Sequence, residues 1–311
     1  MSKKISIVTP TFNEEANIEK LCAEIATTMK RLDYEYEHIV IDNLSTDSTI
    51  KILEEITKKD KKLKVIINSR NFGHIRSPIH GLLQASGDAV ILMSADFQDP
   101  IDLISKYIEE WERGHSVVMG QKKTSDESIL KHYLKKMYYK FINSISEIPL
   151  LVDTTGSGLF DRKIIEELRK VNDPYPYFRG LVSEVTSNVK LIKFHQPKRD
   201  KGVTKNNFYT LYDLGILGII KHSKIPLRII TFIGLIASLL SFIISIIFLF
   251  RKLFNWSSFD VGIAPLIIGV FMIGSIQIFL LGFIGEYVMN ILYHNRNLPL
   301  VIEKKRINFD K

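Results

Sequence analysis

The chain has a single cysteine, Cys22, in 311 residues. No internal disulfide can form, and a reducing compartment fits that usage. Glycine-rich phosphate signatures are missing: neither G-x-G-x-x-G nor G-x-x-x-x-G-K-[ST] occurs. A dinucleotide fold and a P-loop are therefore disfavoured. No signal peptide is expected, because the start, MSKKISIVTP, runs straight into a strand-like pattern. Charge is nearly missing from two long stretches. Residues 227–250 carry only Arg228, and residues 262–284 carry no charge. Either could span a bilayer core of roughly 30 Å at about 1.5 Å per residue, and apolar runs past about 18 residues are rare in soluble folds.

The net charge is +8, and its placement argues against nucleic acid as a partner. The basic residues flank the apolar stretches: Lys221, Lys224 and Arg228 come before the first, and Arg296, Lys304, Lys305, Arg306 and Lys311 after the second. Positive outer flanks place both termini in the cytoplasm and favour an anionic leaflet. Arg251 and Lys252 in the connecting loop weaken that bias without reversing it.

Upstream, short β-branched runs alternate with helical periods. Strands are expected over 5–8, 38–41, 63–67, 89–93 and 116–120. Helices follow over 16–31, from 45, over 78–85 and over 101–113. Residues 87–100, GDAVILMSADFQDP, pass abruptly from five apolar residues into Ser94, Asp96, Gln98 and Asp99. That pattern describes a central parallel strand whose C-terminal tip carries chemistry. The whole predicts an α/β, doubly wound, mostly parallel sheet with a nucleotide-type ligand across the strand tips. Residues 129–145 read as a basic amphipathic helix, residues 153–161 as a Gly-rich turn into a helix over 162–170, and residues 208–220 as an interfacial segment.

Seven motifs then occur in one order: VTPTFNEEANI, VIDNLSTDST, NFGHIRSPIHGLLQASGD, ADFQDP, FRGL, RDKGVTK and HSKIPLR. Together they resemble the family 2 glycosyltransferases of GT-A fold, of the polyprenyl-phosphate type related to dolichyl-phosphate mannose synthase. The resemblance covers nearly the whole chain. It implies a GT-A domain over 1–205, an amphipathic interfacial helix and linker over 206–226, transmembrane helices over 227–250 and 262–285, and a cytoplasmic basic tail over 286–311. It also implies a multi-pass protein of the cytoplasmic membrane and, by analogy, a homo-oligomer.

The resemblance assigns Pro10, Phe12, Glu14, Asp42 and Arg70 to the donor nucleotide. Asp42 is expected to contact the uracil or ribose. Asp96, Gln98 and Ser94 would hold Mg²⁺ or Mn²⁺, hard cations that take oxygen ligands. Arg179, Arg199, Thr204 and Lys205 would hold the acceptor phosphate, with arginine offering bidentate contacts and lysine a point charge. The sequence departs from the family pattern in three places. Ser94 stands where the first metal-site aspartate is usual. Asn43 follows Asp42 where a second aspartate is usual. Gly156 stands where a carboxylate near the acceptor is usual, leaving Asp153 or Asp161 as substitutes.

The expected activity is inverting transfer of one sugar from a nucleotide-sugar, a UDP-hexose, to undecaprenyl phosphate. Two other readings stay open: transfer to a hydroxyl of a lipid-linked glycan, and a catalytically weak scaffold that binds nucleotide-sugar.

Overall fold

A computed structural model of the protein describes residues 3–122, 154–171, 173–197, 217, 221, 225–254, 263–295 and 298–309. The core is one eight-stranded mixed sheet. Its strands are β1 (Lys4–Thr11), β2 (Glu35–Asp42), β3 (Leu63–Asn68), β4 (Ala89–Leu92), β5 (Val117–Lys122), β6 (Thr154–Asp161), β7 (Val189–Phe194) and β8 (Glu303–Ile307). They lie in the order β7-β5-β6-β4-β1-β2-β3-β8. The helices are α1 (Ile18–Leu32), α2 (Thr49–Lys59), α3 (Gly73–Gln84), α4 (Leu103–Glu112), α5 (Arg162–Lys170), α6 (Phe178–Val185), α7 (Ile225–Phe254) and α8 (Ile263–Asn295).

The strand pattern explains the layers. Successive side chains point to opposite faces. Ile5, Ile7, Val40 and Ile91 therefore join the core beneath α1, α2 and α4. Val8, Ile39, Ile41, Val90 and Leu92 join a second core beneath α3, α5 and α6. With both faces covered, the central strands read as continuous apolar runs, as parallel strands do. β1, β2, β3 and β4 pair in parallel.

Two elements differ from the sequence expectation. Residues 153–161 read as a Gly-rich turn, yet Thr154–Asp161 form β6, inserted antiparallel between β4 and β5. Gly156 takes φ 87°, which glycine permits, and Gly158 serves close approach. A Cβ on Gly158 would lie 2.5 Å from the Val118 carbonyl oxygen. The second difference is at the C-terminus, read as a basic tail over 286–311. α8 continues to Asn295, and Glu303–Ile307 return as β8, antiparallel to β3. Charged EKKRI hides the strand from apolar patterning because it forms an edge, where charge is usual. The expected helices over 129–145 and 208–220 lie outside the described residues, apart from position 217.

α7 and α8 have 30 and 33 residues, about 45 and 50 Å at about 1.5 Å per residue. Counted over the described residues alone, no helix is long and apolar enough to cross a membrane.

Glu37, buried at the sheet's N-terminal edge, accepts from Lys64 Nζ (2.8 Å), Ser6 Oγ (2.6 Å) and Ser86 N (2.7 Å). Burial pushes its carboxyl up, but these hydrogen bonds outweigh burial and hold it at about 2. The folded value lies below the ordinary one, so the stabilisation is present above about pH 4.5 and is lost as pH falls through about 2. Glu37→Gln should therefore cost stability at neutral pH and progressively less down that window, as read by unfolding curves at stepped pH. Gly158→Ala should lower stability by about 1–3 kcal/mol through overpacking, because the clashing atom is backbone. An unchanged Tm would show that β5 and β6 can separate at no cost.

Candidate active site

The strand order reverses at β1. The chain places β2 and β3 outward on one side of β1 and then returns to set β4 on the other. Loops leaving β1 and β4 diverge at the C-terminal edge, and open α/β sheets bind ligands in the crevice this creates. Pro10, Phe12 and Glu14 leave β1 on one side of it, and Ser94, Asp96 and Gln98 leave β4 on the other. Asp42 and Arg70 follow β2 and β3 along the same edge.

Hydrogen bonds stitch these loops together. Asn13 takes a left-handed backbone, φ 58°, and its amide N–H donates to Ser45 Oγ at 2.8 Å. Its side-chain oxygen accepts from Thr46 N at 2.8 Å. The Glu14 N–H donates to Thr49 Oγ1 at 2.9 Å, and the Glu14 carboxylate accepts from Asn17 Nδ2 at 2.9 Å.

Asp42, expected to meet the uracil or ribose, is fully buried. Its Oδ1 accepts from Ser45 N (2.7 Å), and its Oδ2 accepts from Ser45 Oγ (2.6 Å) and Thr11 Oγ1 (3.1 Å). Burial pushes its carboxyl above the usual value against these hydrogen bonds. Fully buried, Asp42 braces the β2 turn through Thr11 and Ser45.

Asn43 uses chemistry that a carboxylate lacks. Its side-chain oxygen accepts from Asn68 Nδ2 (2.9 Å) and Phe72 N (3.2 Å), while its Nδ2 donates to the Gly73 carbonyl (3.3 Å). One amide thus ties the β2 tip to the loop carrying Arg70. Donation to Gly73 needs an N–H, which gives the departure from aspartate a physical reason.

At the β4 tip, Asp96 is buried and its Oδ1 accepts from Gln98 N at 3.2 Å. Phe97 between them has φ 56°. Asp99 is buried. Its Oδ2 accepts from Ser94 Oγ (2.5 Å) and from Ser157 Oγ, and its Oδ1 has no hydrogen-bond partner among the described residues. Asp99 therefore joins the β4 tip to β6 beside Gly156, linking two of the positions that depart from the family pattern. The sequence contains Asp99 in plain view, but nothing in the spacing distinguishes it from a strand-ending turn residue.

Asp161 is removed as a substitute near the acceptor. It pairs with Ala89 at the start of β4, away from the tip. It caps α5 through Lys163 N (2.9 Å) and accepts from Trp111 Nε1 (2.8 Å). Arg179 lies in the first turn of α6, whose Leu181 and Val182 are buried in the second core. Asp153, Arg199, Thr204 and Lys205 lie outside the described residues.

The donor set suits a hard divalent cation. Among the described residues no group of three His, Cys, Asp or Glu gathers at one point. Asp96, Gln98 and Ser94 offer one carboxylate and two neutral oxygens. Mg²⁺ and similar ions are commonly held by one or two carboxylates plus substrate phosphates, so a diphosphate would complete this set.

The strand order and the polar loops at the β1–β4 crevice define an open-sheet α/β protein with its ligand site at the topological switch. Comparison with known proteins makes that specific. Glycosyl transferase family 2 matches residues 6–169. The glycosyltransferase YkcC of Bacillus subtilis is 32% identical over 98% of this chain and 95% of its own length. The SfII prophage-derived bactoprenol glucosyl transferase of Shigella flexneri is 31% identical over 97% of this chain and 98% of its own length. Among solved structures, glucosyl-3-phosphoglycerate synthase from Mycobacterium tuberculosis, in complex with Mn²⁺, UDP-glucose and phosphoglyceric acid, aligns with a TM-score of 0.51. It has 17% identity and covers 70% of this chain and 78% of its own. The chain belongs to glycosyl transferase family 2, and its sheet is GT-A-like.

Asn43→Asp should lower stability by about 1–3 kcal/mol, because the Gly73 carbonyl loses its donor and a charge is buried. Unfolding curves check this, and an unchanged midpoint would mean that the loop does not depend on the amide.

Proposed function

We propose that this protein transfers a single hexose from a UDP-sugar to polyprenyl phosphate at a membrane surface, with inversion at the anomeric carbon. The observation that carries the reading is the match, over 97% of this chain, to a bactoprenol glucosyl transferase. That alignment extends far beyond residues 6–169, which the family model matches.

The site chemistry supports a phosphate acceptor. A phosphate monoester has a second pKa of about 6, so its oxygen is already anionic near neutral pH. No base is needed to remove a proton, and the glycine at position 156 costs little. A sugar hydroxyl would need a base; Asp161 lies away from the tip, so that reading would need Asp153, which lies outside the described residues. Asp96, Gln98 and Ser94 would hold a divalent cation, which neutralises charge developing on the departing nucleoside diphosphate. The remaining work is positioning and electrostatic stabilisation. Phe12 and Glu14 would flank the donor on the β1 side, with Arg70 beyond β2. Arg179, with Arg199, Thr204 and Lys205, would hold the acceptor phosphate.

The membrane reading rests on α7 and α8. Phe232, Leu235 and Leu239 on α7, and Leu266, Ile278 and Phe279 on α8, are all exposed. Apolar surface on that scale marks a membrane or partner contact. β8 adds a topological argument: it rejoins the sheet that the chain left before α7. A chain that returns to the same sheet crosses a bilayer an even number of times. One hairpin therefore puts the catalytic domain and β8 on one face, and the basic flanks favour the cytoplasmic one.

Membranes containing the protein, incubated with labelled UDP-sugars and undecaprenyl phosphate, should form one lipid-linked sugar, and EDTA should suppress it. Asp96→Ala should reduce the rate at least about a hundredfold, the scale of losing one key electrostatic group. Absence of lipid-linked product from every donor would sink the reading, and an unimpaired Asp96→Ala enzyme would move the site elsewhere.

A further inference from the structure

We propose that the segment returning from α8 is a working part of the donor site, with Arg76 as the positioning residue that connects them. The proposal rests on the reading that the loop after β3, with Arg70, contacts the donor.

The geometry is a chain of short contacts. Arg76, on the first turn of α3, donates from Nε to the Leu300 carbonyl and from a terminal nitrogen to the Pro299 carbonyl, both at 2.7 Å. These carbonyls belong to the stretch between α8 and β8, so the fork of one guanidinium clasps the returning backbone. The same guanidinium lies 5.1 Å from the Phe72 ring centroid, and the Arg70 guanidinium lies 4.0 Å from it. Cation–π contact holds at such distances. Phe72 is buried, and its N–H is held by Asn43. The Ser69 N–H donates to the Ile302 carbonyl at 2.8 Å. The loop from 69 to 73 is thus bounded by Asn43 on the β2 side and by the returning strand on the other.

Arg70 has little else to fix it. Its one described hydrogen bond is a 3.4 Å contact to the carbonyl of its neighbour Asn71. Stacking on Phe72 therefore sets its direction, and Phe72 in turn is backed by Arg76. The end of α8 is eight residues before β8. A displacement of α8 would pull on the carbonyls that Arg76 holds, and so would reach Arg70 through one aromatic ring. The sequence gives no sign of this, because Arg76 and Leu300 are 224 residues apart.

The test compares three variants of the full chain in detergent micelles, with UDP and Mn²⁺ as the probe, alongside the lipid-product assay. Arg76→Ala should weaken UDP binding and raise the donor KM about tenfold, the scale of losing one charged hydrogen bond. The acceptor KM should stay within about twofold. Arg76→Lys, which keeps the charge and one of the two bonds, should recover part of the loss. Lys305→Ala is the structural control: Lys305 ties the same strand to Glu54 at 2.6 Å, away from the loop. It should lower Tm without changing the donor KM. The proposal is overturned if Arg76→Ala leaves the donor KM within twofold, or if Lys305→Ala shifts it equally. Arg70→Ala separates the two failures. If Arg70→Ala weakens UDP binding while Arg76→Ala does not, the coupling is wrong and the donor site stands. If Arg70→Ala has no effect, the donor-site reading falls, and this proposal with it.

Discussion

Parallel pairing of β1 with β2 on one side and β4 on the other is the constraint on which the rest of the molecule depends. It buries Ile5, Ile7 and Val8 completely, and it forces the chain to reverse direction across the sheet. The reversal opens the crevice, and the two loops at its rim carry the polar residues. α3 can cover β1 and β2 only because Gly81 leaves room: a Cβ there would lie 2.7 Å from Val8 Cγ1. That close approach sets where α3 begins, and so where Arg76 and the loop before it sit.

The rim is held by polar side chains bonded to one another rather than by helix caps. In none of α1, α2, α3 or α4 does the N-cap side chain accept from the helix's own first backbone N–H groups. Asn13 instead bonds to the β2 loop, Asn43 to the β3 loop, and Asp99 to the β4 tip and β6. Three positions that carry carboxylates in the family pattern hold a hydroxyl, an amide and a glycine here. Fewer negative charges then stand at these positions. A site of this kind works by arranging charge and orientation, where preorganised donors count for most.

The second structural theme is the return of the chain. β8 makes the edge of the sheet answerable to whatever α7 and α8 contact. Lys221 does similar work before α7: its ammonium is buried against Asp173 at 2.5 Å and the Tyr175 carbonyl at 2.6 Å. The two apolar helices are therefore tied to the catalytic sheet at their entry and at their exit.

Much of this was legible in the sequence. Short apolar, β-branched runs and helical periods placed the first five strands and the helices between them, because central parallel strands are buried on both faces and leave continuous apolar runs. The cluster at Ser94, Asp96 and Gln98 announced itself by an abrupt change of polarity. Contact across the fold could not be read this way. β6 looked like a turn because it is glycine-rich, yet Gly158 answers to the Val118 carbonyl, a neighbour reached only in the folded sheet. β8 looked like a tail because edge strands carry charge. Arg76 gives no local sign that its partners are the Pro299 and Leu300 carbonyls. In each case the deciding partner is far away in sequence. Local chemistry determined which residues could form strands, helices and a cation site, and only the tertiary packing decided which of them face the crevice and which hold it open.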